Sequence, residues 1–252
     1  MNIYCIHENK DEFLLRKHLI LEQVNKIPES FNLEWITSYP ASFFSSDNLD
    51  LKNQLHFSTR APVKSCFWKH YDALKKVADS GTVGLIIEDD SIFKSDVLSD
   101  VAALLGKLKS DNFYINIEYS SYDVPLNYIH KSLVKMNGTK RTGAYIVSPI
   151  AAKKLCSIVD NYLENKESFN YASDSFVTAV WNDAGINVYW SVKPLVWQGS
   201  KTGRFSSDLS GRRENVFAFF FYEKALFNLM PYINKVRALF RKKIKVRILG
   251  AI

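Results

Sequence analysis

At 252 residues, with 47% apolar, 23% charged and 14% aromatic side chains, the chain can bury a sizeable core, and its composition excludes a disordered or low-complexity protein. The formal charge of +7 is local: seven of the 33 basic residues (Lys235, Arg237, Arg241, Lys242, Lys243, Lys245 and Arg247) follow residue 234 with no acid among them, leaving 26 basic against 26 acidic before it. A neutral body with a cationic end argues against a generally basic protein and for an anionic surface met by the tail alone.

Ile3–Ile6 reads as a first strand, and Phe13, Leu14, Leu15, Leu19, Ile20 and Val24 give an apolar face to a helix over 11–25. A strand over Leu33–Thr37 follows, completing the strand-helix-strand opening of an α/β sheet. The segment Pro40–Pro62, rich in Ser, Asn and Asp, is expected to be an irregular loop over one edge of a site. Phe67, Tyr71, Leu74, Val77 and Ala78 define a helix over 64–78 that leads into a buried strand at Val83–Ile87. Further helices are expected over 97–107, 150–159 and 175–182, and strands over 113–117, 144–147 and 186–190, with Pro194–Gln198 after the last.

The apolar run Leu85-Ile86-Ile87 ends in three consecutive acids, Glu88-Asp89-Asp90. Adjacent carboxylates repel, and a strand end beside the core gives them little water, so a positive partner would offset the cost. A hard divalent cation, Mg²⁺ or Mn²⁺, takes oxygen ligands and keeps positions open for phosphate. Asp90 and Glu88 are the metal candidates, with Asp89 beside them; strand alternation leaves open which of the three binds directly. The bland alternative is a solvated turn after an ordinary strand.

Cys5, Cys66 and Cys156 are odd in number, far apart and without Cys-x-x-Cys spacing, as reduced thiols of a cytoplasmic protein would be. Cys66 has no ligand-forming neighbour in sequence and reads as a small buried hydrophobe. Neither a secretory signal nor a run of about 18 apolar residues is visible, so no spanning helix is expected.

Four pieces in order resemble glycosyltransferase family 25, the lipooligosaccharide galactosyltransferase-like proteins of bacteria. They are Ser65-Cys66-Phe67-Trp68-Lys69-His70, then Leu85-Ile86-Ile87-Glu88-Asp89-Asp90, then Thr142-Gly143-Ala144-Tyr145-Ile146-Val147-Ser148 with Ala151-Ala152-Lys153-Lys154-Leu155, and last Ser173-Asp174 with Pro194-Leu195-Val196-Trp197-Gln198. The likeness spans roughly Ile3 to Gln198 and lies in order and spacing. Two departures are Val63-Lys64 where the family has Gly-Glu, and Lys69 where it has Ser before His.

The resemblance implies a Rossmann-like GT-A fold, a mostly parallel central sheet flanked by helices, over 1–222. It implies transfer of a hexose, galactose among the candidates, from a nucleotide sugar, a UDP-sugar first, to a lipid-linked or lipopolysaccharide-core glycan or a capsule. Donor contacts would come from His70, Glu88, Asp89 and Asp90, and acceptor contacts from Gly143, Tyr145 and Gln198. For an inverting displacement one carboxylate suffices as base, and Asp174 is the choice, near Phe169 and Tyr171; it reads equally as a helix amino cap. His70 reads also as a structural histidine, and Gly143 and Tyr145 as a turn glycine and a core tyrosine. Arg60, Lys64 and Lys201 are loop candidates for phosphate.

In the tail, 223–252, Leu226, Phe227, Leu229, Met230, Ile233, Val236, Leu239, Phe240, Ile244, Val246 and Ile248 interleave with the basic cluster, as in a helix lying in a bilayer interface. Such a tail would hold the protein on the inner face of the cytoplasmic membrane. A docked or oligomerising helix is the alternative. No nucleic-acid reading motif is present, so no nucleic-acid partner is expected. A noncatalytic nucleotide- or carbohydrate-binding protein on the same fold is the competing reading of the whole chain.

Overall fold

The structure, a computed structural model, describes residues 1–252 except 46–47, 49, 56–59, 120–123, 125–127, 129, 140, 169, 203–204 and 206–247. The strands are β1 (Asn2–Ile6), β2 (Asn32–Ile36), β3 (Gly84–Glu88), β4 (Ser91–Phe93), β5 (Phe113–Asn116), β6 (Leu133–Met136), β7 (Ala144–Val147), β8 (Asn187–Ser191), β9 (Val196–Gln198) and β10 (Ile248–Ala251). The helices are α1 (Leu14–Val24), α2 (Leu51–Leu55), α3 (Ala61–Ser80), α4 (Val97–Leu105), α5 (Pro149–Glu164), α6 (Ser173–Val180) and α7 (Gly199–Thr202).

Eight strands form one sheet in the order β10-β6-β8-β5-β7-β3-β1-β2, while β4 and β9 pair separately. Following the pairings across the sheet, six of its strands run one way and only β7 and β6 are reversed. The sheet is therefore mostly parallel in strand direction, although each reversed strand makes its two neighbours antiparallel.

Alternation along the strands divides the core in two. Tyr4, Ile6 and Ile86 face α3, α5 and α6, where Phe67, Leu74, Leu155 and Phe176 pack. Ile3, Cys5, Leu85 and Ile87 face the other way onto Ile20, Val24, Val101 and Leu104 of α1 and α4. Burial on both faces explains why these strands read as continuous apolar runs. The long α3 ends at Gly81, whose φ of +65° is the left-handed cap that glycine adopts without strain.

Four stretches differ from expectation. The segment over 40–62 is not an irregular loop throughout: it holds a 3-10 turn at Ala41–Phe44 and the short helix α2. Its polar residues organise it locally, since the Asp50 carboxylate accepts from Lys52 N at 2.8 Å and Asn53 Nδ2 donates to the carbonyls of Ser45 and Asn48. Strands β4 and β6 were unanticipated: β4 has only three residues, and β6 carries Lys135 within its apolar run. Ile248–Ala251, read as the end of an amphipathic helix, is a strand paired antiparallel with β6. The rest of the tail, with the boundary at 222/223, and Phe169 lie outside the described residues, as does the Lys201 side chain. No described helix is long and apolar enough to cross a membrane, and Cys5, Cys66 and Cys156 are all free thiols.

Candidate functional site

Register brings the site together at the carboxyl ends of β1 and β3. Ile6 pairs with Glu88, so the next residues, His7 and Asp89, meet: His7 Nδ1 lies 2.8 Å from Asp89 Oδ2. On the other side Ile87 pairs with Ala144, and Glu88 N donates to Gly143 O at 2.9 Å. The β4–β9 ladder sets Gln198 opposite Ser91, which carries Gln198 Nε2 to 3.0 Å from Glu88 Oε2. A residue 110 positions away thus reaches the acids through a three-residue ladder.

The three acids have different surroundings. Asp89 is held on both oxygens, by His7 and by Arg16 Nη1 at 3.0 Å. Glu88 is half-buried between His70 Nε2 at 3.4 Å and Gln198. Asp90 is 3% exposed; its Oδ2 accepts from Ser200 N at 3.1 Å, while Oδ1 is buried without a hydrogen-bond partner. Burial, reinforced by Glu88 and Asp89, pushes the Asp90 carboxyl up to about 7 despite Ser200 and Arg16.

A further buried acid was missed in the sequence. Glu118, with no exposed surface, accepts from Gly143 N through Oε2 at 2.9 Å. Burial and then the charge of Glu88 hold its carboxyl well above the ordinary range. The backbone at Gly143 runs so close that a Cβ there would lie 2.2 Å from Gln198 Nε2 and 2.8 Å from Glu118 Oε2. Glycine at this point is what lets Gln198 and Glu118 converge on Glu88.

These acids border a cleft of about 130 Å³ lined by Glu8, Lys10, Phe13, Arg16, Ser65, Cys66, Lys69, Glu88, Asp89, Asp90 and Ser200 among others. Its cations are distributed around the wall. Lys69 Nζ donates to Glu8 Oε2 and to Ser65 Oγ, one helical turn earlier, at 2.8 Å. Burial works against the Glu8 anion, but Lys69, Ala41 N and Ser65 together leave its carboxyl below its usual value. Arg16 stacks over Phe13, 4.3 Å from the ring centre, as it reaches Asp89. His7 and Glu8 carried a readable signal, directly following a first parallel strand where α/β sheets place ligands. Glu118 carried none, because its neighbours arrive only through tertiary pairing.

The other expected residues lie at graded distances from this cleft. His70 is buried, between Glu88 and the Tyr145 hydroxyl, which lies 3.1 Å from Nδ1. Tyr145 itself is 1% exposed and stacks on Tyr114 at 4.6 Å. Asp174 is exposed in the first turn of α6; Ala172 is the amino cap, so Asp174 is not, and its charge complements the helix dipole. Its neighbour Ser173 lies 3.4 Å from Cys66 Sγ, which puts Asp174 on the Cys66 side. Lys64, proposed for phosphate, is buried with Nζ donating to Asn53 Oδ1 at 2.7 Å. Arg60 is exposed just before α3.

A divalent cation fits this donor set. Oxygen ligands predominate, Asp90 Oδ1 is orphaned, and the cations Arg16 and Lys69 are already engaged with Asp89 and Glu8. Asp89 and Glu88 each carry one partner on each oxygen, but those of Asp89 include the Arg16 cation, whereas Glu88 is met by His70 and the neutral Gln198 amide.

No family model matches the chain, and no curated protein matches it in sequence. Among solved structures, the chain is similar to residues 1–349 of Staphylococcus aureus TarS, at 14% identity and TM-score 0.44, covering 80% of this chain and 60% of that one. It is similar to the galactosyltransferase LgtC in complex with donor and acceptor sugar analogues, at 9% identity and TM-score 0.45, covering 97% of each. The glycosyltransferase GlyE of Streptococcus pneumoniae TIGR4 aligns at 9% identity and TM-score 0.46, covering 95% of this chain and 63% of that one. The chain thus spans less than two thirds of the TarS and GlyE chains, and with TM-scores below 0.5 these likenesses assign nothing to the cleft.

Proposed function

We propose that the chain is a glycosyltransferase that takes a sugar from a nucleoside diphosphate, a UDP-sugar first among the candidates, with a hard divalent cation held at Asp90 and Glu88. The observation that carries this reading is the orphaned Oδ1 of Asp90, buried at the wall of a cleft that mixes acids with Arg16, Lys10 and Lys69. A diphosphate with its cation matches that mixture, the cation facing the carboxylates and the phosphates facing the basic side chains. The order of motifs shared with glycosyltransferase family 25 supports the same class.

In this reading each residue has a definite task. Mn²⁺ or Mg²⁺, when bound, supplies positive charge to the departing diphosphate. Asp89 keeps Arg16 aimed at the cleft, with His7 fixing the carboxylate from behind. Gln198 and His70 hold Glu88 from two sides so that its carboxylate does not swing toward Asp90 unassisted. Asp174 removes the acceptor hydroxyl proton in an inverting displacement, and its exposure suits a group that meets a second substrate. Gly143 gives the close backbone approach on the acceptor side, with Tyr145 steadying His70 from the core.

The acceptor proposed is a growing bacterial surface glycan, on a lipid carrier, on lipopolysaccharide core or in a capsule, at the inner face of the cytoplasmic membrane. The basic, apolar-interleaved tail supports the membrane location. Salt-sensitive binding to anionic vesicles, absent after deletion of 223–247, tests it; binding unchanged by the deletion removes the tail from the account.

Titration of nucleotide sugars with and without Mn²⁺ tests the main reading. Mn²⁺ is expected to raise the affinity for one donor, and Asp90→Asn to abolish that gain in a protein that remains folded. Asp174→Asn is expected to keep donor affinity while transfer falls by roughly 10²–10⁴-fold. Donor binding with no turnover by the unaltered chain on any glycan acceptor would favour the noncatalytic binding protein. Equal Mn²⁺ dependence in Asp90→Asn would overturn the metal role.

A further inference from the structure

Behind the acids, α3 and β3 assemble a second set of donors of different chemistry. Cys66 and His70 are one helical turn apart on α3, and both face the end of β3. Cys66 Sγ, a His70 ring nitrogen and a Glu88 carboxylate oxygen all lie within 4.8 Å of one another. His70 Nε2 is 3.4 Å from Glu88 Oε1. At metal–ligand bonds of roughly 2.0–2.3 Å, two ligands of a tetrahedral centre stand about 3.3–3.8 Å apart, so the His70–Glu88 edge already fits and the edges to Cys66 close by up to about 1 Å on binding.

The surroundings of these residues match those of a built centre. The other nitrogen of His70 faces the buried Tyr145 hydroxyl at 3.1 Å, the kind of partner that fixes a ligating imidazole's tautomer and ring angle. Gln198 Nε2 holds the second oxygen of Glu88 at 3.0 Å, leaving Oε1 turned toward His70. Cys66 is the one cysteine among the cleft-lining residues, and Ser173 Oγ stands 3.4 Å from its sulfur, near where a fourth ligand would approach. Nothing in the sugar-transfer reading uses the thiol.

We propose that Cys66, His70 and Glu88 form a three-ligand site for a borderline divalent cation of the zinc class, separate from the hard-cation position at Asp90. Thiolate and imidazole select Zn²⁺ or Co²⁺ over Mg²⁺ and Mn²⁺, whereas the all-carboxylate side of Glu88 and Asp90 has the opposite preference. The fourth position is left to water or a small ligand, as in an open rather than a sealed centre. Binding releases the Cys66 proton, which burial and the charge of Glu88 hold on the metal-free thiol up to about 12. The site shares Glu88 with the hard-cation position, through the oxygen turned toward His70, and its thiolate ligand is used nowhere in the sugar-transfer reading.

Metal-free protein titrated with Co²⁺ tests this. One equivalent is expected to produce a near-ultraviolet sulfur-to-cobalt charge-transfer band with intense visible transitions of a tetrahedral centre, both bleached by Zn²⁺ and unaffected by excess Mg²⁺. Cys66→Ser should abolish the charge-transfer band, and His70→Asn should weaken Co²⁺ binding at least tenfold. Asp90→Asn should leave the band intact, which separates this site from the hard-cation one. Tyr145→Phe keeps the ring stack and should lower Co²⁺ affinity without removing the band. Far-ultraviolet circular dichroism of each variant checks the fold. No band in the unaltered protein, or one that survives Cys66→Ser or disappears in a folded Cys156→Ser variant instead, would overturn the proposal.

Discussion

A carboxylate placed in a buried corner with two other acids is costly as an anion and comfortable as a neutral acid. Asp90 shows this most directly: burial first, then Glu88 and Asp89, raise it from an ordinary 3.8 to about 7. Between those values the folded chain binds more protons than the unfolded one, so this group's contribution to stability falls as pH rises from about 4 to about 7 and is flat above. In metal-free buffer, Asp90→Asn is therefore expected to be more stable than the unaltered protein at pH 8, by a few kcal/mol, with the advantage gone below pH 4. Thermal unfolding of both proteins across that range checks it, and an advantage of the variant no larger at pH 8 than at pH 4 would contradict the assignment. Mn²⁺ is expected to return the stability at pH 8 to the unaltered protein alone, by binding its folded state.

The acids themselves were legible because three in a row at the end of Leu85-Ile86-Ile87 conflict with a buried strand. What each one does was not legible. Asp89 and Asp90 are sequence neighbours with opposite fates, one partnered on both oxygens and one with an orphaned oxygen. That difference is set by His7, Arg16 and Ser200, which approach from three separate elements.

Among the elements, the helices and the wholly apolar strands were readable, and the three-residue strands were not. The strand over 144–147 and the helices over 97–105 and 173–180 follow apolar patterns that local sequence carries. By contrast β4 and β9 have three residues each and exist because they pair with each other. The α2 segment reads as a loop because its Ser, Asn and Asp residues look like turn formers, whereas Asp50 caps a short helix there. The junction of α3 with β3 is closely packed. A Cβ at Gly84 would lie 2.3 Å from Val77 Cγ2 and 3.2 Å from Tyr4 Cε2. Val77 is β-branched in a helix and has little rotamer freedom with which to yield. Gly84→Ala is expected to destabilise the protein by roughly 1–3 kcal/mol in chemical denaturation, through overpacking. A variant unchanged in midpoint would mean that α3 and β3 slide past each other freely, and with them the His70–Glu88 contact.

At the scale of the whole molecule, the cleft sits where the sheet changes character. β3 has the parallel strand β1 on one side and the reversed strand β7 on the other, so the loops after β1 and β3 open over a common edge. Continuous apolar strands alternating with helices made the α/β class readable, but the reversal of β7 and β6 was invisible because antiparallel and parallel buried strands look alike in sequence. Crystals soaked with Mn²⁺ and a UDP-sugar would test the account most directly. An anomalous manganese peak is predicted at coordination distance from Asp90 Oδ1, beside the diphosphate, with Arg16 on the phosphates. A donor bound in the cleft with no metal at Asp90, or a diphosphate seated away from β1 and β3, would contradict it.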